Sequence, residues 1–251
     1  MEIERPRTEH LMQLWCIWQE AFGDTEESVE AFRKTAFSPD RARVALENGV
    51  PVAALYWFDC SCYGRKIAYL YAIATDPAYR GRGICHRLME KTHRDLQAQG
   101  YVGALLVPAE EHLFGFYRRM GYETCSAVCE LTCEGVAGEI TLTQIEKTEY
   151  ASLRRQYLPS GGVIQEGVTL DFLETWEHFW KGEDFLLAGH CNGDRFLGAE
   201  LLGNASLAPQ ITHTMGCRSG SFRTPGEGRP FAMYLPLADA TAPSYFGLAL
   251  D

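Results

Sequence analysis

An apolar segment, Ile67 to Thr75, runs straight into the glycine-rich turn Arg80-Gly81-Arg82-Gly83-Ile84-Cys85, and a helical pattern runs straight out of it. The spacing predicts a strand, a turn and a helix in immediate succession. The strand is apolar on both alternating faces, as a central strand covered on both sides must be. Beyond the turn, Ile84, Leu88, Thr92 and Leu96 recur every four residues with Cys85 and Met89 beside them, which makes one buried stripe on a helix of about four turns. Gly81 and Gly83 leave the backbone uncrowded where the first N–H groups of that helix lack partners, a place that attracts phosphate. Arg80, Arg82, Arg87, Lys91 and Arg94 stand against Glu90 over the same span, in a chain of net charge -10. A local basic stripe in an acidic protein fits a small anionic ligand and argues against nucleic acid.

The run Asp76-Pro77-Ala78-Tyr79-Arg80-Gly81-Arg82-Gly83-Ile84 resembles the acetyl-CoA signature of the GCN5-related N-acetyltransferases (GNAT), in which Arg or Gln is followed by two residues, Gly, one residue, and Gly or Ala. Arg80 and Gly83 match, and Cys85 replaces the final small residue. The resemblance implies that loop N–H groups hold a pyrophosphate while the preceding strand pairs with pantetheine. The implied cofactor-binding set is Ile73, Ala74, Thr75, Arg80, Gly81, Arg82, Gly83, Ile84 and Cys85, for acetyl-CoA as cosubstrate.

Downstream, Val102 to Val107 reads as a short strand ended by Pro108. Leu113, Phe116, Tyr117 and Met120 then follow helical spacing, with Gly121 placed to end the helix in the left-handed conformation. Phe116-Tyr117-Arg118-Arg119-Met120-Gly121-Tyr122 resembles the family's second signature, which implies that Tyr117 sits beside the CoA sulfur and returns a proton to it. On the helix pattern alone, Tyr117 reads as a core tyrosine on an apolar stripe; the first signature upstream at the expected spacing favours the catalytic reading. Many family members carry Asn after the second strand, where this chain has Pro108, Ala109, Glu110 and Glu111. That departure is similar to a bacterial two-domain subset, the enhanced-intracellular-survival type, and the likeness covers mainly residues 10 to 122.

The rest of the chain fits this plan. His10 to Phe37 reads as two helices broken at Gly23-Asp24, and Arg43 to Glu47, Asn48-Gly49 and Val52 to Phe58 as a hairpin. From about residue 138 the order begins again, with a strand at Glu139 to Leu142 and helices at Lys147 to Tyr157 and Leu170 to Trp180. A hairpin follows, Phe185 to His190 and Phe196 to Leu202 about Asn192-Gly193, and the last strand is expected at Tyr245 to Leu250. We therefore expect an α/β (α+β) fold with a mixed sheet flanked by helices, divided into a GNAT domain at residues 1–137 and a degenerate GNAT-like copy at residues 138–251. Arg223-Thr224-Pro225-Gly226-Glu227-Gly228 echoes the first signature, but Pro230 and Pro236 exclude a helix after it.

Nine cysteines in 251 residues are too sparse for a disulfide scaffold. Cys125, Cys129 and Cys133 lie on an alternating segment that spaces them about 13 Å apart, too far to share a zinc ion. Cys60 and Cys62 lack a second pair at finger-like spacing, and no metal is expected. His178, His190 and His213 read as structural or exposed. Met1-Glu2-Ile3-Glu4-Arg5-Pro6 is not the start of a signal peptide, and no stretch approaches the roughly 20 apolar residues of a membrane span, so a cytoplasmic protein is expected.

The expected function is direct acetyl transfer to a primary amine of a small molecule or peptide, with an oxyanion N–H from Ile73 or a neighbour and Tyr117 as the acid. Glu20, Asp59, Glu110, Glu111, His112 or a water relay remain open as the base. The alternative is a GNAT-fold regulatory or CoA-binding protein without chemistry.

Overall fold

The computed structural model describes residues 1–250. The first half supplies β1 (Glu2–Glu4), α1 (Leu11–Phe22), α2 (Glu26–Thr35), β2 (Ala42–Glu47), β3 (Val50–Cys62), β4 (Arg65–Thr75), α3 (Ile84–Ala98), β5 (Gly103–Leu106), α4 (Glu111–Arg118) and β6 (Glu123–Glu134). The second half supplies β7 (Thr143–Ile145), α5 (Lys147–Tyr157), β8 (Ile164–Gln165), α6 (Val168–Leu173), β9 (His178–Lys181), β10 (Phe185–Asn192), β11 (Arg195–Gly203), α7 (Ala208–Thr214), β12 (Ser219–Pro225) and β13 (Arg229–Pro236).

Local chemistry explains the breaks. Gly23 ends α1 at φ +72°, returning its N–H to the Gln19 carbonyl at 2.8 Å, and Thr25 caps α2 by accepting from the Ser28 N–H. Asn48 and Gly49 both take positive φ, as a two-residue hairpin turn requires. Along β3 the side chains alternate between two cores. Ala54, Tyr56 and Phe58 pack with α1, α2 and α6, while Ala53, Leu55 and Trp57 pack with α3 and α4.

The strands form a single mixed sheet in the order β1-β2-β3-β4-β5-β13-β6-β12-β11-β10-β9-β7, with β8 added beside β3. The two ends run inward through matching series. β1-β2-β3-β4-β5 closes on the parallel pair β4·β5 with α3 as crossover, and β7-β9-β10-β11-β12 closes on the parallel pair β11·β12 with α7 as crossover. The halves then exchange their closing strands. β13 pairs antiparallel with β5 (Met233 opposite Leu106), and β6 pairs antiparallel with β12 (Leu131 opposite Phe222). Inside the second half, Arg154 binds Glu200 through two nitrogens at 2.6 and 2.9 Å, and the Tyr150 and Tyr245 hydroxyls donate to the same carboxylate.

Several expectations for the second half need correction. Glu139 to Leu142 is not a strand; Ile140 and Leu142 pack against the α7 core, and the ladder begins at Thr143. The helix expected at Leu170 to Trp180 stops at Leu173, because His178–Lys181 pairs with β10 as β9. Tyr245 to Leu250 runs buried without a ladder. Its backbone groups bond instead to Ser126 Oγ, the Val163 N–H and the Tyr69 hydroxyl. Asn192-Gly193 joins β10 to β11, so its counterpart by topology is Tyr63-Gly64 between β3 and β4, rather than Asn48-Gly49. The exclusion of a helix after Arg223 to Gly228 agrees with the structure, where that run lies on β12 and the turn into β13. Among the described residues, no helix is long and apolar enough to cross a membrane.

Candidate active site

The site begins where β4 parts from β5. Their parallel ladder covers only Ile67 to Tyr69; β5 stops at Leu106, and Pro108 lacks the N–H that would extend it. β4 continues to Thr75 against β3 alone. A bulge there sets Ala72 and Ile73 against Leu55, and Ala72 takes φ +46°. A non-glycine residue in this conformation marks a locally strained backbone, of a kind that concentrates at functional sites.

The divergence opens a cleft of about 700 Å³. One wall is Leu70 to Ile73 of β4, the Leu106 to Ala109 segment, and Leu113 and Tyr117 of α4. The opposite wall combines Trp18, Asp24 and Glu27 of the α1–α2 corner with Phe172 and Trp176 around the end of α6 and Phe231 of β13. Residues from both halves of the chain thus enclose it.

At the end of β4, Asp76 accepts from the Ala78 N–H at 2.8 Å and starts a single turn, Pro77–Tyr79. Gly81 and Gly83 follow at φ +77° and +70°, and Gly83 starts α3 with no side-chain cap. A Cβ at either glycine would meet nothing within 4 Å. Conformation therefore demands glycine here, and the N–H groups opening α3 are left for a ligand. The basic stripe divides. Arg80 and Arg82 fold onto their own loop, donating to the carbonyls of Thr75 at 3.1 Å and Ala78 at 3.2 Å. Arg87 donates to the Arg82 carbonyl, whereas Lys91 is committed to Asp95, which also takes Arg43.

α4 ends in a pair of bonds, Tyr122 N–H to the Tyr117 carbonyl at 3.2 Å and Gly121 N–H to the Arg118 carbonyl at 3.0 Å, with Gly121 at φ +90°. This closure fixes Tyr117, which is 7% exposed and packs edge-on to Phe116 and Tyr122. Burial, with the nearby Cys85 thiol adding to it, raises the Tyr117 hydroxyl well above the ordinary phenol range, so it is protonated at neutral pH. Burial pushes Cys85 up to about 12, and it too is neutral. The Tyr122 hydroxyl is 2.8 Å from His93 Nε2.

Of the sequence-predicted residues, Ile73 and Tyr117 share the cleft, while Ala74 and Thr75 finish β4, and Arg80 to Cys85 form the loop and first turn of α3 at that same end of the strand. None of Glu20, Asp59, Glu110, Glu111 and His112 lines the cleft. Asp59 lies near Lys66 and Tyr101, and Glu110 near His112. The carboxylates that do line it are Asp24, which accepts from Trp18 Nε1 at 2.6 Å, and Glu27. Trp18 lies on the first of the two helices read between His10 and Phe37, and nothing in the sequence placed Phe172, Trp176 or Phe231 on the same cleft. Cys125, Cys129 and Cys133 lie along β6, and no group of three potential metal ligands occurs among the described residues.

A strand parting from its neighbour beside an uncapped helix start is the arrangement expected of an acyltransferase-type fold, and a buried tyrosine lies in the gap. Comparison with known proteins agrees. Residues 2–125 match the family model for the acetyltransferase (GNAT) domain, so the first half of the chain carries a domain of this acyltransferase family. It is 28% identical over 124 residues to an acetyltransferase of Pectobacterium atrosepticum, spanning 48% of this chain and 84% of that protein. Its fold is similar over 94% of its length to a GCN5-related N-acetyltransferase from Kribbella flavida (TM-score 0.72, 16% identity, 72% of that chain). The same share is similar to Eis1 from Mycobacterium abscessus (TM-score 0.68, 15% identity, 74% of that chain). These likenesses take in the second half, whose strand order repeats that of the first.

Proposed function

We propose that this protein is an acetyl-CoA-dependent N-acetyltransferase that passes an acetyl group to a primary amine of a small molecule or peptide by direct attack. The observation that carries the reading is the divergence of β4 from β5 beside Tyr117, continuous with the uncapped start of α3. The α3 N–H groups and the open space over Gly81 and Gly83 fit a pyrophosphate. Ile73, Ala74 and Thr75 offer the unpaired edge of β4 to an extended pantetheine arm.

In this reading the amine attacks the thioester carbonyl, and an N–H from Ile73 or a neighbour in the bulge supports the developing oxyanion. The protonated Tyr117 hydroxyl gives its proton to the departing thiolate. Asp24, directly or through water, is the best-placed group to receive the proton from the amine. We further divide the chain at residues 1–137 and 138–251, with β6 and β13 exchanged between the units, and place the activity in the cytoplasm.

The test is release of free CoA thiol from acetyl-CoA across a panel of amines, alongside the thermal midpoint with CoA. Amine-dependent thiol release supports the proposal. A CoA-raised midpoint with no turnover supports the alternative of a binding protein, which draws on Pro108 standing where many relatives carry Asn. No effect of CoA overturns both.

A further inference from the structure

The acceptor side of the cleft narrows the kind of amine it takes; this rests on the acetyltransferase reading above. Four rings from three separate elements brace one another there. Trp18 of α1 meets Tyr71 of β4 edge-on at 5.5 Å, Tyr71 meets Phe172 of α6 at 6.0 Å, and Phe172 meets Trp176 at 4.6 Å and 81°. Rings locked edge to face form a rigid apolar wall that is already in place before a ligand arrives. Trp18 and Phe172 are each 3% exposed, whereas Tyr71 and Trp176 are only partly covered, so these two rings present surface to the cleft.

The same cleft carries charge of one usable sign. Trp18 Nε1 holds one oxygen of Asp24 at 2.6 Å, leaving the other available. Glu27 sits in the first turn of α2, where its own backbone N–H, and then Thr25, hold its carboxyl below the usual range. The one cationic side chain on the cleft, among the described residues, is Arg229. It is engaged twice by Glu130 and lies 5.1 Å over the Phe231 ring, so it offers little to a substrate anion.

We propose that the acceptor is a primary amine with a single positive charge and an apolar, preferably aromatic, body: an arylalkylamine class of substrate. The ammonium is drawn in by Asp24 and Glu27, and the ring lies against Trp176 and Tyr71. A polyhydroxylated or polycationic amine would leave its polar groups against these rings without partners. A free amino acid would bring its carboxylate against Asp24 and Glu27, with Arg229 already taken.

The experiment compares kcat/KM for phenethylamine, ethanolamine, spermidine and phenylalanine, with acetyl-CoA saturating. Phenethylamine is expected to exceed each of the others by roughly tenfold or more, the scale on which an apolar pocket discriminates. Trp176→Ala is expected to reduce that preference roughly tenfold, chiefly through KM, and Trp176→Phe to restore most of it. Asp24→Asn keeps an acceptor for Trp18 Nε1 but removes both the charge and the proposed proton acceptor; it should lower kcat and also raise KM for phenethylamine several-fold, and the KM part should shrink with added salt. Should Trp176→Ala fail to fold, the ranking of amines by the unmutated protein decides alone. Equal or better use of ethanolamine, spermidine or phenylalanine overturns this inference and leaves the acetyltransferase reading intact. No turnover of any of the four, while other amines in the wider panel are acetylated, also overturns the inference. No turnover of any amine overturns both.

Discussion

The backbone N–H of Leu250 donates to the hydroxyl of Tyr69 at 3.3 Å, across 181 residues of sequence. Tyr69 is the last residue of β4 paired with β5, and both Tyr69 and Leu250 line the cleft. The segment leading to Leu250 is held on the way by Ser126 at Phe246, Arg223 at Gly247 and Gln165 at Leu248. The far end of the chain thus forms part of the wall of the site whose signatures lie before residue 123.

Residues 1–137 alone lack β13 and this wall. β5 and β6 would then present unpaired edges, which promote aggregation. That fragment should be insoluble or should lose its cooperative unfolding transition, and should acetylate no amine; sedimentation and circular dichroism with heating check the first part, thiol release the second. A soluble, active fragment would show that the exchanged strand is dispensable. Residues 138–251 should bind no CoA by titration calorimetry, since neither glycine-rich loop nor basic stripe precedes α7.

Gly83→Glu should abolish the thermal protection that CoA gives. Ligand at 100 times its dissociation constant should stabilise the unmutated protein by about 2.7 kcal/mol. The substituted residue faces the left-handed φ of +70° and adds a carboxylate where phosphate should bind. The strain lowers stability without ligand by about 1 kcal/mol, so the decisive quantity is the shift on adding CoA, compared between the two proteins.

Tyr117→Phe keeps the ring that packs on Phe116 and Tyr122 but removes the hydroxyl. If that hydroxyl protonates the leaving thiolate, turnover should fall by roughly 10²- to 10⁴-fold, with the CoA-induced shift in midpoint little changed. Undiminished turnover would return Tyr117 to the role of a core tyrosine.

Stability should fall as the pH drops through the range in which His93 resists protonation. Burial, with His86 adding to it, pushes this imidazole down to about 4, against an unfolded value near 6.5. The unfolded chain therefore binds more protons in that window. The contribution of neutral His93 is fully present above about pH 6.5 and is lost as the pH falls through about 4. His93→Gln keeps a hydrogen-bonding partner for the Tyr122 hydroxyl without a titrating group. The difference in midpoint between the two proteins should change across this window; parallel curves would exclude His93 as the cause.

Much of the first half was legible because its signals are local. The Asn48-Gly49 turn, the Gly23 stop and the Gly81 and Gly83 loop each depend on a few neighbouring residues, and each is where the sequence places it. The limits of α5 are likewise those read from its pattern. The second half was read less well because its elements answer to distant partners. His178–Lys181 has a helical pattern but is held as a strand by β10, and Tyr245 to Leu250 reads as a strand but finds side-chain partners instead. The far wall of the cleft was illegible for the same reason: Trp18, Phe172 and Phe231 come from three separate parts of the chain, and no spacing records that they line one cleft.

The exchanged strand also bears on synthesis. A ribosome delivering about 5–20 residues per second needs roughly 6–25 s after finishing β5 to reach the start of β13. Throughout that interval the nascent first half exposes the edge of β5 that β13 later covers. The glycine-rich loop is already out by then, but the cleft cannot be complete until β13 and the segment through Leu250 have been made, so a chain cut short before them holds an unfinished wall and an exposed strand edge.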